Sequence, residues 1–331
     1  DLKALRTEGA LTPGHPEFGH TPGVELTTGP LGTGLASAVG FAMAERFTHG
    51  LLDPDTPHGQ SIFDHCVYVI AGDGCLQEGV SAEASSLAGT QKLGNLIVLW
   101  DDNRISIEGD TDIAFSEDVL KRYESYGWHV QRVDWLSEDG SYVEDVQALD
   151  EALDAARDNT DQPSIIALRT VIGWPTPEKS NTGGIHGAKL GEEALRGLKL
   201  ALGADPDAHF AVDEEAVAHS RNQFAQRAQV LRDQWNHRFE QWKDANPDRV
   251  ALLERLRQGG LPQGWEKALP EFPADKAIAT RSASGKVLNA IAPVLPELWG
   301  GSADLGGSNN TFLNGLTSFL PEGTYSRSFE A

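Results

Sequence analysis

Two stretches decide the fold: Cys66-Val-Tyr-Val-Ile-Ala71 running into Gly72-Asp73-Gly74, and Asn95-Leu-Ile-Val-Leu-Trp100 running into Asp101-Asp102-Asn103. Each is a short apolar run rich in β-branched residues, the pattern of a parallel strand buried on both faces. Between them Gly79 to Leu93 is dense in small residues and suits a helix packed closely on a sheet. Strand, helix and strand at this spacing predict a right-handed, parallel βαβ unit.

Working outward, a helix is expected to start at Ser116, whose hydroxyl can cap free amides while Glu117 and Asp118 complement the positive helix end. Strand patterns follow from Val130 and over Ser164 to Arg169, with helical spacing over Val146 to Ala156 between them. Upstream, Leu35 to Arg46 reads as a small-residue helix. The fold class is therefore α/β with a doubly wound parallel sheet. After Asp213 the pattern changes. Phe224, Leu231, Trp235, Phe239 and Trp242 follow one another at 7, 4, 4 and 3 residues, a single apolar face of a long helix, read as packing. Asn246-Pro247 ends it, and a shorter helix covers Arg249 to Arg257. A new α/β start is expected at Lys276 to Arg281, with a helix over Ser284 to Ile291. The expected division is residues 1–210 as one domain, 211–275 as a helical linker, and 276–331 as the opening of a second α/β domain.

Of the 331 residues 40% are hydrophobic, enough for a large core. Against 49 Asp and Glu stand 27 Lys and Arg, a formal charge of −22. That balance excludes a nucleic-acid binder, which needs a basic face, and gives no attraction to anionic lipid. A phosphorylated ligand would have to be met by positive potential concentrated locally. Cys66 and Cys75 are too few for a disulfide framework and fit a reducing, cytoplasmic setting. The uncharged run Leu26 to Ala44 holds Pro30 and several glycines and lacks the apolarity of a bilayer span. The sequence opens on Asp1, so a truncated start is expected.

In a parallel sheet, ligands sit beyond the carboxyl ends of the strands. Asp73 and Asn103, at two such ends, can approach each other. A carboxylate and an amide oxygen suit Mg²⁺ or Ca²⁺ rather than zinc, and Mg²⁺ usually completes its octahedron with phosphate oxygens and water. Each element alone is also explained by a simple turn; together they point to a metal holding a diphosphate. Thr27-Thr-Gly-Pro-Leu-Gly-Thr-Gly34 places glycine-rich backbone before a helix, an anion-site pattern, and matches neither a P-loop nor GxGxxG spacing. His15, between Gly14 and Pro16, and His186, in Gly183-Gly-Ile-His-Gly187, are the histidines best placed to donate to diphosphate or move protons.

Together these segments resemble the transketolase family over nearly the whole chain. Gly72-Asp-Gly-Cys-Leu-Gln-Glu-Gly79 with Asp102-Asn-Arg-Ile-Ser-Ile107 is similar to its thiamine diphosphate motif. Thr12-Pro-Gly-His-Pro-Glu17, Thr28-Gly-Pro-Leu-Gly32, Tyr126-Gly-Trp-His129, Arg169-Thr-Val-Ile-Gly173, His186-Gly187, Ala279-Thr-Arg281 and Gly301-Ser-Ala-Asp304 follow in family order. The resemblance implies thiamine diphosphate with Mg²⁺ or Ca²⁺, the metal being held by Asp73, Asn103 and the Ile105 carbonyl. It implies that Gly29, Pro30, Leu31, Gly74 and His186 touch the diphosphate and that Asp304 faces the cofactor near the thiazolium. His15 and His186 would act on the sugar as catalytic and substrate-binding residues, and Arg281 with Ser308 would bind its phosphate, a guanidinium matching phosphate geometry even on an acidic protein.

Glu78 and Glu83 match carboxylates that couple two active sites across a homodimer, and active sites of the family span both subunits. The implied reaction moves a two-carbon ketol unit from a ketose phosphate such as xylulose 5-phosphate to an aldose phosphate such as ribose 5-phosphate, in the pentose phosphate pathway. The family's activating Glu lies in an Ile-Arg-Glu-His motif that this sequence lacks. The expectation is thus the diphosphate-binding (PP) half plus the opening of the pyrimidine-binding domain, with little turnover by the chain alone. Alternatives are a related thiamine enzyme (dihydroxyacetone synthase, phosphoketolase or deoxyxylulose-phosphate synthase), a non-catalytic or split-enzyme fragment that binds cofactor or partner, and, more remotely, a nicotinamide dehydrogenase.

Overall fold

In the computed structural model, strand β1 (Val67–Gly72) pairs in parallel with β2 (Leu96–Asp102), Gly72 standing opposite Asp101. The structure describes residues 1–321 and 328–330. Beyond β2 come two short strands, β3 (Ile105–Ser106) and β4 (Gly109–Asp110), which form an antiparallel hairpin. Strands β5 (His129–Asp134) and β6 (Ser164–Arg169) complete a four-stranded, all-parallel sheet in the order β1-β2-β6-β5. This is the expected α/β architecture.

The helices of this region are α1 (Thr33–Leu52), α2 (Asp73–Gln77), α3 (Gly79–Thr90), α4 (Val119–Ser125), α5 (Val146–Asp158) and α6 (Glu192–Ala201). Ala152 and Ala156 of α5 pack on Ile97, Val133 and Ile166 of three strands, with Leu149 and Leu153 around them. Alternating small and large side chains let the helix approach the sheet closely. Polar contacts also lock helix α3 to α4 and to the residues after it: the Tyr123 and Ser85 hydroxyls meet at 3.1 Å, and the Trp128 indole donates to the Ser85 carbonyl at 2.8 Å.

Some local expectations are corrected. The cap of α4 is Asp118, which accepts from the Lys121 amide at 3.2 Å; Ser116 stands two residues too early. Strand β1 is not buried on both faces. Val69 and Ala71 point into the core, but Tyr68 is 48% and Ile70 83% exposed. As the edge strand, β1 is covered on one face only, whereas β2 in the middle of the sheet matches the continuous apolar run.

By its contacts the chain divides into two units, Asp1–Ala42 with Cys66–Asp213, and Met43–His65 with Glu214–Ala331. The second contains α7 (Glu214–Ala245), α8 (Pro247–Arg257), α9 (Thr280–Ile291), α10 (Gly306–Asn309) and the parallel pair β7 (Gly300–Ser302) and β8 (Ser328–Glu330). Proline at the first turn of α8 fixes the break after α7, since its missing N–H costs nothing there. Along α7 the apolar stripe packs only in its second half: Trp235, Phe239 and Trp242 stack in succession, and Trp242 joins Leu52 and Leu253 in a core, while Phe224 and Leu231 are exposed. Residues 276–279 form no strand; α9 begins at Thr280, so Arg281 sits in its first turn rather than before a helix at Ser284.

Gly89 of α3 faces the turn after α4, and a Cβ there would be driven into the Tyr126 carbonyl. Gly89→Ala is expected to lower the free energy of unfolding by about 1–3 kcal/mol through overpacking, read from the urea midpoint at unchanged slope; an unchanged midpoint contradicts this packing.

Candidate functional site

Because β1 and β2 run parallel in the register Gly72 to Asp101, the next residues, Asp73 and Asp102–Asn103, emerge at one edge of the sheet. Asp73 opens α2 and is buried, as are Asp102, Asn103 and Ile105. The Asp73 carboxylate is held at both oxygens. The Trp100 indole donates to Oδ1 at 3.1 Å and the Arg104 backbone N–H to Oδ2 at 2.9 Å. Asn103 is fixed similarly: its amide N–H donates to Asp101 Oδ2 at 3.1 Å, and its Oδ1 accepts from the Ile105 N–H at 2.9 Å. Asp101 in turn accepts from the Thr170 hydroxyl, reached from the end of β6. One loop, residues 103–105, is thus tied to both carboxylates and to the Asn103 amide.

Three carboxylates, Asp73, Asp101 and Asp102, crowd this edge. Burial above all, then the Asp102 charge, pushes the Asp73 carboxyl up to about 6, against the stabilising Arg104 amide and Trp100 indole. Arg104 and Arg132 lie 3.7 and 3.6 Å from Asp102 and offset its charge in part. The donor set is one of oxygens in a poorly solvated, electronegative place, which favours a hard divalent cation.

The glycine-rich loop reaches the same neighbourhood. Gly32 has φ 78° and lies so close to Glu78, Val80 and Ser81 that a Cβ would stand 2.8–2.9 Å from their atoms. It therefore seats the loop on the junction between α2 and α3. A Cβ on Gly74 would come within 3.2 Å of Leu31, so bare backbone at 74 and the Leu31 side chain face each other. His15 lies over Gly29, where a Cβ would meet the ring at 2.7 Å, and the Thr28 N–H donates to the Pro16 carbonyl at 3.3 Å. Exposed His186 ends a 3-10 turn (Gly183–Ile185) that packs on the β3–β4 hairpin, a Cβ on Gly183 lying 3.0 Å from Ile107 O and Gly109 N.

The first unit thus gathers His15, Gly29, Leu31, Gly74, Asp73, Asn103 and Ile105, with the His186 turn joined to them through the hairpin. Pro30 is in the same loop and exposed; Glu78 and Glu83 are exposed on the α2–α3 side. Arg281, Ser308 and Asp304 belong to the second unit. There the Arg281 guanidinium donates to the Ser308 carbonyl at 3.4 Å, and Asp304 adopts φ 59°, the left-handed region. Sequence reasoning missed Trp100, Arg104 and Asp101. The strand pattern could locate Trp100 and Asp101 but not which atoms they approach, because that depends on register and on the loop's path.

The family described as "Transketolase, thiamine diphosphate binding domain" matches residues 1–262. The chain belongs to it. Transketolases of Mycobacterium leprae and Mycobacterium tuberculosis are 55% and 54% identical, over 97% and 100% of this chain and 45% and 46% of theirs. A solved transketolase from Pichia stipitis, in complex with sedoheptulose 7-phosphate, superposes with a TM-score of 0.90 at 44% identity over 99% of this chain and 48% of that one. The Leishmania mexicana transketolase gives the same TM-score at 39% identity, over 99% of this chain and 48% of its own. The chain spans about half the length of the transketolases it matches.

Within this transketolase-family site, Arg104 stands at φ 60°, strained for a side-chain-bearing residue, yet contributes its N–H to Asp73. Arg104→Gly keeps that N–H and relieves the strain, so it is expected to raise unfolding free energy by up to about 1 kcal/mol, measured by denaturant titration. A clear loss of stability would mean the guanidinium, not the backbone, anchors the loop.

Proposed function

We propose that this chain is the diphosphate- and metal-holding part of a transketolase. It works in the pentose phosphate pathway of the cytoplasm, as a homodimer. The proposed domain division is residues 1–210 for diphosphate binding, 211–275 as linker and 276–331 as the opening of the pyrimidine-binding domain. The observation that carries the reading is the buried oxygen set of Asp73 and Asn103 at adjacent parallel strand ends, braced from Trp100, Asp101 and the Arg104 amide. Thiamine diphosphate and a divalent ion, Mg²⁺ or Ca²⁺, fit it. The donors are oxygens, and the glycine-rich loop with Leu31 lies against bare backbone at Gly74.

Asp73, Asn103 and the Ile105 carbonyl would hold the ion. Gly29, Pro30, Leu31, Gly74 and His186 would receive the diphosphate, and Asp304 would face the cofactor. When bound, thiamine diphosphate supplies the electron sink for breaking and remaking a carbon–carbon bond beside a carbonyl. The chain's own residues bind and orient. His15, propped on Gly29, and His186, on its glycine-flanked turn, can donate to sugar hydroxyls and shuttle protons near neutral pH. Arg281 and Ser308 would take the sugar phosphate, giving an acidic protein its local positive charge. Glu78 and Glu83, exposed in the single chain, suit the coupling of two sites across the dimer.

The reading is tested by incubating the protein with xylulose 5-phosphate and ribose 5-phosphate. Moving two carbons must yield a seven-carbon ketose phosphate and a three-carbon aldose phosphate. The chain alone should give little of either; the yield should appear when a polypeptide supplying the Glu-bearing second domain is added, and should require both thiamine diphosphate and the divalent ion. Asp73→Ala, which removes one ion ligand, is expected to weaken cofactor binding at fixed Mg²⁺ by on the order of 100-fold or more, followed by quenching of tryptophan emission. Equal binding by the variant would remove Asp73 from the site.

A further inference from the structure

In the second unit, the last turns of α1 carry Glu45 and His49, one helical turn apart on one face. Asp64 returns to them from the loop after α1. One carboxylate oxygen of each acid and a ring nitrogen of His49 all lie within 4.8 Å of one another. The place is dry: Glu45 and His49 are 2% exposed and the Asp64 side chain 11%.

The outward-facing atoms are already committed. His49 Nε2 donates to the Thr56 carbonyl at 2.8 Å, and Asp64 Oδ2 accepts from the Ser61 N–H at 3.0 Å. Buried Asp53 braces both supports, accepting from the Thr56 hydroxyl at 2.9 Å and from the Ser61 hydroxyl at 2.6 Å. Such outer hydrogen bonds are what fix the tautomer and aim of a metal-binding histidine. With Nε2–H given to Thr56, a neutral ring turns its Nδ1 lone pair toward Asp64 Oδ1, 2.5 Å away. A shared proton accounts for that spacing, so an ion bound here would replace the proton and move the two atoms apart to ligand spacing.

Two carboxylates and a neutral imidazole carry −2 in a low-dielectric place, and two protons or one divalent ion, beside the buried Arg46, would offset it. Burial, and next the Asp64 charge, push the Glu45 carboxyl up to about 8, a measure of that demand. Arg46 is the neighbouring cation and lies over the Phe319 ring at 6.0 Å. His58 stacks on His49 at 6.0 Å. A ligand set of one imidazole nitrogen and two carboxylate oxygens departs from the all-oxygen sets of Mg²⁺ and Ca²⁺ and matches Zn²⁺ with water in the open position.

We propose that Glu45, His49 and Asp64 form a site for a borderline divalent ion, Zn²⁺ being the probe and water its fourth ligand, separate from the Asp73–Asn103 site in residues and in donor chemistry. Such an ion would clip the end of α1 to the loop it feeds, binding only the folded chain.

The test begins with protein stripped by chelator, dialysed against Zn²⁺ and then metal-free buffer, and assayed for retained metal. One equivalent should remain without added thiamine diphosphate, chelator should lower the melting temperature, and Co²⁺ in its place should give a visible spectrum of nitrogen and oxygen ligation. His49→Gln and Asp64→Asn should each lose the equivalent while Asp73→Asn keeps it. Should either variant fail to fold, the Co²⁺ spectrum and the chelator shift of the unmutated protein still decide. No retained zinc, no Co²⁺ spectrum, or loss in Asp73→Asn with retention in a folded His49→Gln overturns the proposal, the first two leaving protons as what binds the cluster.

Discussion

A buried carboxylate can persist at the edge of a sheet only if hydrogen bonds and opposite charge replace the water it has lost. Asp73 meets the first half of that condition and only part of the second. Its two oxygens receive an indole and a backbone N–H, yet the charges of Asp102 and Asp101 act against its ionisation. The parallel pairing of β1 and β2 creates this situation, and the rest of the first unit is arranged around it. The glycine loop is seated on the α2–α3 junction, the Asn103 amide is fastened to Asp101, and the hairpin brings the turn before His186 alongside. Arg104, Arg132 and Arg169 approach Asp102 and answer part of this charge, and the proposed ion would answer more of it.

Much of this was legible beforehand, for definite physical reasons. The strand over Ser164 to Arg169 emerges at its predicted limits, and α5 begins at Val146 as expected, because a central buried strand and an amphipathic helix leave strong periodic signals. Illegible features were those set by long-range packing. An edge strand carries the same apolar letters as a central one, so the exposure of Tyr68 and Ile70 could not be foreseen. Asp118 and Ser116 are both good caps, and the choice between them fell to the path of the chain. Thr280 and Arg281 look as extended in sequence as the residues before them, yet they begin a helix.

For the site, the residue types were readable and their supports were not. Asp73 and Asn103 follow from the rule that parallel strands present ligands at their carboxyl ends. The roles of Trp100 and of the Arg104 amide depend on which atoms a three-residue loop brings within hydrogen-bonding reach, information that no spacing contains. The Glu45–His49–Asp64 cluster escaped notice for the opposite reason. Glu45 and His49 are spaced as any two surface residues of a helix might be, and only folding the loop back through Asp53, Thr56 and Ser61 buries them beside a second carboxylate.

The most direct measurement is anomalous diffraction from crystals grown with thiamine diphosphate and Mn²⁺ in place of the native ion. The account predicts a peak ligated by Asp73, Asn103 and the Ile105 carbonyl, with diphosphate oxygens completing its shell. A peak elsewhere, or diphosphate bound with no metal between it and Asp73, would contradict it.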